Sequence, residues 1–181
     1  MKWLIASDIH GSALYCRKLL ESYKAEKADR LIILGDILYH GPRNDLPEGY
    51  APKEVIKLLN AVSSDLLCVR GNCDTEVDQM VLQFPIMADY AVLDIGGRII
   101  YATHGHIYNE NNLPPIHRGD ILLNGHTHVP KCTEHENYIY MNPGSVSIPK
   151  ENSHHGYMTV ENGSFIWKDL GGEIKNKFTL N

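Results

Sequence analysis

RLIILGD, residues 30–36, reads as a short apolar strand that ends on a glycine and a carboxylate. An apolar run of this length bounded by polar residues suits a strand buried in a sheet. Two other segments have the same form. Residues 2–7 (KWLIAS) run into Asp8-Ile9-His10-Gly11, and residues 65–69 run into Gly71-Asn72-Cys73-Asp74. Between the first two strands, residues 12–24 place Ala13, Cys16, Leu20 and Tyr23 at helical spacing. Between the second and third, Pro52 suits the first turn of a helix whose face carries Val55, Leu58, Leu59 and Val62. The order is β-α-β-α-β, which predicts a parallel sheet with right-handed crossovers.

Beyond residue 89 the pattern changes. Residues 90–95 and 98–103 flank Gly96 and Gly97, a hairpin signal. Short apolar runs follow at 120–124, 138–141, 157–160 and 165–170. A strand-rich second half is accommodated most economically as a second sheet packed on the first. Gly171 and Gly172 mark the expected end of the core, with a polar tail to Asn181.

The 181 residues are expected to form one domain, 1–181, large enough to bury a core without disulfides. Hydrophobic residues make up 43% and charged residues 22%, the balance of a globular chain. A formal net charge of -5 argues against long nucleic acid as a partner but not against a small phosphate ester, because bound cations reverse a local field. No charged and apolar leader opens the chain, and no apolar run approaches the ~20 residues of a membrane span. The expectation is a cytoplasmic protein without a membrane partner, its homo-oligomeric state open. Cys16, Cys68, Cys73 and Cys132 form no CxxC pair; Cys16 and Cys68 read as small buried hydrophobes.

The chemistry collects at strand ends. Besides Asp8 and His10, Asp36, and Asn72, the strand ending at Thr103 runs into His104-Gly105-His106, and the one ending at Asn124 into Gly125-His126-Thr127-His128. Ligands of open α/β sheets bind outside the carboxyl ends of the strands. One Asp or Asn after a strand is an ordinary turn former or cap, and one histidine an ordinary surface residue; metal-binding residue types at five strand ends are not explained so simply. Carboxylate, imidazole and carboxamide donors without an essential thiolate suit Mn²⁺ foremost, or Zn²⁺, Fe²⁺, Co²⁺ or Ni²⁺. Asp8, His10, Asp36, Asn72, His104, His126 and His128 are too many for one transition ion and suit two ions sharing Asp36. Two such ions can activate a bridging water for in-line attack at phosphorus.

The ordered motifs Asp-x-His, Gly-Asp, Gly-Asn-x-Asp, Gly-His and Gly-His-Thr-His, from Asp8 to His128, resemble those of the calcineurin-like metallophosphoesterase superfamily. With His40-Gly41-Pro42-Arg43-Asn44 and Asn142-Pro143-Gly144-Ser145 included, the chain looks like the bacterial YfcE-type phosphodiesterases. The resemblance implies a four-layer α/β/β/α sandwich, two packed sheets flanked by helices. It also implies a metal-dependent phosphodiesterase, a hydrolase with a dinuclear site. Asp8, His10 and His128 fall to one ion, Asn72, His104 and His126 to the other, and Asp36 bridges. His106 matches a supporting position. Many superfamily members carry histidine where this chain has Cys73, and that histidine contacts the phosphoryl group. A neutral thiol offers no cation to a monoester dianion, so a diester fits better; Cys73 as packing, and Asp74 as a cap for the next helix, stay open.

The catalytic candidates are therefore Asp36, Asn72, Cys73 and His104, with Arg43 as a phosphate contact because its guanidinium fork matches phosphate oxygens. His40 and Asn44 could line the same pocket mouth; Ser145 has no base and is not a nucleophile. His117, His135, His154 and His155 read as surface residues. The alternatives are a phosphomonoesterase or phosphoprotein phosphatase with the same site, and a non-catalytic scaffold like the retromer subunit Vps29, which lacks the full ligand set.

Overall fold

The computed structural model describes residues 1–95 and 97–180 and contains two mixed sheets packed face to face. The first has the order β11-β10-β9-β1-β2-β3, from β1 (Trp3–Ala6), β2 (Arg30–Ile33), β3 (Leu66–Cys68), β9 (Gly156–Glu161), β10 (Ser164–Asp169) and β11 (Ile174–Thr179). β1, β2 and β3 are parallel, as the sequence predicts, and β9 joins β1 antiparallel. The second sheet has the order β4-β5-β6-β8-β7, from β4 (Tyr90–Ile95), β5 (Arg98–Thr103), β6 (Asp120–Leu123), β7 (Lys131–Glu134) and β8 (Tyr138–Asn142). Within it β5, β6 and β8 are parallel.

Alternation along the strands separates two cores. Ile5, Ile32, Leu34, Met158 and Trp167 face the second sheet, where they meet Ile100, Ala102, Ile121, Leu123 and Met141. Leu4, Ala6, Leu31 and Ile33 face the other way, toward α1 (Ala13–Ala25) and α2 (Pro52–Asn60). These residues are wholly buried, and each large one contributes about 1.5–3 kcal/mol relative to exposure. Helix α1 starts where Ser12 Oγ accepts the Tyr15 N–H at 3.3 Å, and it buries Cys16, Leu19, Leu20 and Tyr23. Pro52 opens α2 as expected. The outer face of the second sheet carries Leu122, Tyr138 and Tyr140, with Ile116 and Tyr101 against them. There the Tyr101 hydroxyl donates to the Pro115 carbonyl at 2.8 Å, so chain between β5 and β6 supplies the cover.

Three elements differ from the sequence reading. The expected polar tail is the edge strand β11, paired with β10; Phe178 packs on the inter-sheet core while charged neighbours face out. The edge strand β7 (KCTE) was hidden by its polarity. A single helical turn, α3 (Glu76–Gln79), carries its own capping box between Thr75 and Asp78. Of the hairpin signal, Gly97 lies in the turn with φ 78°, and Gly96 falls outside the described residues.

Because β1, β2 and β3 run parallel, as do β5 and β6, each sheet sends its carboxyl ends one way. All five loops that follow those ends meet at one edge of the sandwich. No helix among the described residues is long and apolar enough to cross a membrane.

Candidate metal centre

The loop after β1 supplies Asp8 and His10, that after β2 Asp36, and that after β3 Asn72 and Cys73. The loop after β5 supplies His104, and that after β6 His126 and His128. Bringing so many donors together strains the backbone. Asp8, His10, Asp36, His126 and His128 all lie in the left-handed region, with φ from 48° to 65°. For residues with a Cβ this costs roughly 1–2 kcal/mol each, which the surrounding packing has to hold. The glycines permit the close approach. A Cβ on Gly71 would fall 2.1 Å from Asp36 Oδ1, and one on Gly125 would fall 1.9 Å from Ser7 Oγ.

Hydrogen bonds to carbonyl oxygens fix the tautomers. His10 Nδ1–H donates to Tyr39 at 2.7 Å, His104 Nδ1–H to Leu34 at 2.6 Å, and His128 Nδ1–H to Ile148 at 2.6 Å. A carbonyl can only accept, so the proton sits on Nδ1 and each Nε2 presents a lone pair. Those lone pairs converge. His10 Nε2 and His128 Nε2 are 3.2 Å apart, and His104 Nε2 is 3.1 Å from His126 Nδ1 and 3.0 Å from Asn72 Oδ1. Asp8 Oδ1 lies 3.2 Å from His128 Nε2 and 3.5 Å from His10 Nε2, buried and without a hydrogen-bond donor among the described residues. Asp36 Oδ2 lies 3.7 Å from His10 Nε2 and 3.4 Å from His104 Nε2, between the two groups. Acceptors packed against acceptors repel one another unless a cation lies among them. The donor set therefore fits divalent ions. The residues that would hold them gather as Asp8, His10 and His128 on one side and Asn72, His104 and His126 on the other.

Without metal, protons take the cation's place. Burial opposes charge on His104, but the hydrogen bond to Asp36 and the Asp8 and Asp36 charges outweigh it and raise its pKa to about 9. Burial and then the neighbouring His104 charge push His126 down to about 4. A metal must displace the His104 proton at any pH below that raised value. Divalent-metal affinity on the His104 side should therefore weaken as pH falls, by up to about tenfold per unit, with one proton released from His104 on binding. Calorimetry in buffers of different ionisation heat counts that proton; an affinity flat between about pH 6 and 8 would contradict the assigned ligand.

Cys73 lies inside this arrangement. Its N–H donates to Asp36 Oδ1 at 2.8 Å, and the Asn72 carboxamide donates to its sulfur at 3.2 Å. Burial, with the Asp36 carboxylate beside it, pushes the thiol well above its usual range, so it stays neutral. Asp74 does not cap the next helix, whose cap is Thr75. Its carboxylate accepts the N–H groups of Asp36 and Gly71 at 2.8 Å each and of Ile37 at 2.9 Å, clamping the loops after β2 and β3 together. The 142–145 turn is likewise a brace. Asn142 Nδ2 donates to the Gly125 carbonyl at 2.7 Å, and the hydroxyls of Ser145 and Ser147 donate to the Asp8 carbonyl at 2.9 and 3.0 Å. The bracing role of neither motif could be read locally, since Asp74 also holds backbone of Asp36 and Ile37, and Ser145 that of Asp8, far off in the chain.

A cavity of about 340 Å³ opens over Asp36, Asn72 and His128 and is also lined by Arg43, Asn44 and Lys150. Arg43 and Asn44 were expected there; Lys150 carries no motif. His40 instead packs on Tyr39 and Tyr50. His106 stands beside His104, its ring centre 5.3 Å away, with a buried Nδ1 that has no partner among the described residues. His117 and His135 are exposed, whereas His155 is half-buried, stacked on Tyr15 at 4.0 Å.

The chain is 46% identical over 162 residues to the phosphodiesterase YfcE of Escherichia coli (strain K12), covering 90% of this chain and 88% of that one. The solved structure of YfcE, a phosphoesterase from E. coli, matches with a TM-score of 0.96 at 43% identity, over 100% of both chains. The probable metallophosphoesterase YsnB of Bacillus subtilis (strain 168) is 27% identical, over 99% of this chain and 100% of that one. Vacuolar protein sorting 29 from Cryptosporidium parvum, at 16% identity and a TM-score of 0.63 over 99% and 98% of the two chains, shares the fold alone. The model of the calcineurin-like phosphoesterase superfamily domain matches residues 1–164, and the chain belongs to that superfamily.

Proposed function

We propose that this protein hydrolyses a small phosphate diester, using two divalent ions, Mn²⁺ foremost, with Asp36 shared between them. The observation that carries the reading is the convergence of the His10 and His104 imidazoles on Asp36 Oδ2, with His128 against His10 and Asp8 on one side. The bound ions would supply a shared hydroxide as nucleophile and positive charge for the oxygens of the phosphoryl group. The chain's own part is to hold the donors in register through the Asp74 clamp and the Asn142 and Ser145 braces. Asn72, exposed on the cavity wall, and the buried His104 behind it, 3.0 Å from Asn72 Oδ1, would help stabilise negative charge developing during attack. Similarity to the phosphodiesterase YfcE over most of the chain supports the diester as substrate. So does the neutral Cys73, which offers a monoester dianion no cation.

The competing monoesterase is separated by comparing bis-p-nitrophenyl phosphate with p-nitrophenyl phosphate; faster cleavage of the monoester would overturn the proposal. The Vps29-like scaffold is disfavoured by the complete donor set, and a metal titration tests it. Long nucleic acid and membrane remain unexpected partners for a chain of net charge -5.

A further expectation concerns Cys73. If no acid protonates the leaving oxygen, rates should fall steeply as the alcohol's pKa rises. Cys73→His would add a positioned acid, worth ~10²-fold for poor leaving groups and far less for nitrophenol. Plots of log kcat/KM against leaving-group pKa should then be flatter for the variant. Parallel slopes would assign Cys73 to packing.

A further inference from the structure

We propose that Arg43 and Lys150 form an anion-binding subsite, so that the diester cleaved here carries a second anionic group on the arm lying against them. The proposal rests on the phosphodiester reading and extends it to the class of substrate.

Both residues line the cavity over the metal centre, and both are exposed while Asp36 and His128 beneath them are buried. Their backbones are tied to the same cluster. The Lys150 N–H donates to the carbonyl of His128 at 3.2 Å, and the Ser153 N–H donates to the Lys150 carbonyl at 3.0 Å. On the other side, Tyr39 holds His10 through its carbonyl, and the Asn44 carboxamide donates to the His40 carbonyl at 2.8 Å, bracing the turn that bears Arg43. The two cations thus flank the His10 and His128 side of the centre at fixed points of attachment.

Among the described residues neither Arg43 nor Lys150 has a carboxylate partner, although the chain holds 22 acidic residues against 17 basic ones. Two such cations lining one cavity favour an anion there, against the sign of the whole molecule's charge. The scissile phosphoryl group of a diester carries a single negative charge, which the divalent ions would already meet. The cavity, at about 340 Å³, falls in the usual range for small-molecule sites and has room for an ester arm as well. The neighbouring cavity of about 250 Å³ has the opposite character. It shares His126 and Thr127 but is lined by Asn109, Glu110 and Asn111, with Glu110 paired to Lys131 at 2.9 Å. That lining holds no lysine or arginine, so an anionic arm is drawn toward Arg43 and Lys150 instead. A guanidinium and an ammonium lining the same cavity suit phosphate or carboxylate equally in charge.

The test uses the full-length Mn²⁺-loaded protein and three p-nitrophenyl phosphodiesters whose second arm is ethyl, 2-carboxyethyl or 2-phosphonooxyethyl. Release of p-nitrophenol reports the same bond cleavage in each. The anionic arms should raise kcat/KM about tenfold over ethyl at low salt, the size of a charged hydrogen bond, and the preference should shrink as salt rises. Lys150→Gln and Arg43→Gln should each cut that ratio severalfold and together remove it, whereas Lys177→Gln, on the exposed β11 edge, should leave the ratio unchanged. Which anionic arm gains more separates carboxylate from phosphate. A ratio of one or below, or a preference untouched by both variants, overturns the proposal while the diesterase stands. Faster cleavage of p-nitrophenyl phosphate than of the ethyl diester, lost in Lys150→Gln, would assign the cations to a monoester dianion and also overturn it. Failure to cleave any diester refutes the underlying function.

Discussion

Asp36→Asn is expected to lower kcat/KM toward a diester by at least ~10³-fold while leaving the fold intact. The substitution keeps the size of a side chain that is only 2% exposed, so no cavity opens and no atom is added near Gly71. An asparagine oxygen can still accept the Cys73 N–H that now reaches Asp36 Oδ1 at 2.8 Å. What disappears is the charge on Oδ2, which faces His10 on one side and His104 on the other. In the proposed site that oxygen faces both ions, so losing its charge weakens each ion's hold and shifts their spacing. Removing a single preorganised electrostatic partner in other active sites costs about 10²–10³-fold, and a group serving two cations should lie at or beyond the upper end. Circular dichroism and thermal melting check the fold, and metal analysis checks occupancy. Near-normal turnover with both ions bound would sink the shared-carboxylate arrangement.

What could be seen in the sequence, and what could not, follows from how far each signal reaches along the chain. The parallel β1-β2-β3 unit was legible because its strands are short apolar runs separated by helices of clear periodicity. The convergent donor set was legible because every donor sits within a few residues of a strand end, usually beside a glycine. Edge strands were not. In β11, IKNKFT, only Ile174 and Phe178 are large and apolar, and the run resembles a solvated tail until it pairs with β10. Nor was the part played by Asp74, whose three N–H partners include Asp36 and Ile37, 38 and 37 residues away. Lys150 is similar: nothing in IPKEN marks a pocket, and its place follows from a backbone bond to His128. The left-handed conformation of Asp8, His10, Asp36, His126 and His128 was equally hidden, since aspartate and histidine adopt it only where surrounding structure compels them.

Stripping the protein with a chelator should abolish diester hydrolysis, and Mn²⁺ should restore it where Mg²⁺ does so poorly. The donors decide the selectivity. Each half of the centre offers two imidazoles, His10 with His128 and His104 with His126, beside carboxylate or carboxamide oxygen. Mg²⁺ favours oxygen ligands and gives up its waters reluctantly, whereas Mn²⁺ and its later neighbours accept imidazole nitrogen. Activity alone could mislead, because a trace of tightly held metal can survive dialysis. A second readout comes from the folded state itself. His10 Nε2 and His128 Nε2, 3.2 Å apart, and Asp8 Oδ1, which has no donor among the described residues, repel one another unless a metal ion or a proton lies among them. Metal that binds only the native chain stabilises it by about 2.7 kcal/mol at one hundred times its Kd. For a domain of this size that raises Tm by roughly 5–10 °C. The rise should track occupancy, appear with Mn²⁺ at lower concentration than with Mg²⁺, and shrink in Asp36→Asn. Full activity after chelation, or a Tm that Mn²⁺ does not move, would mean that these seven side chains hold no metal the protein needs.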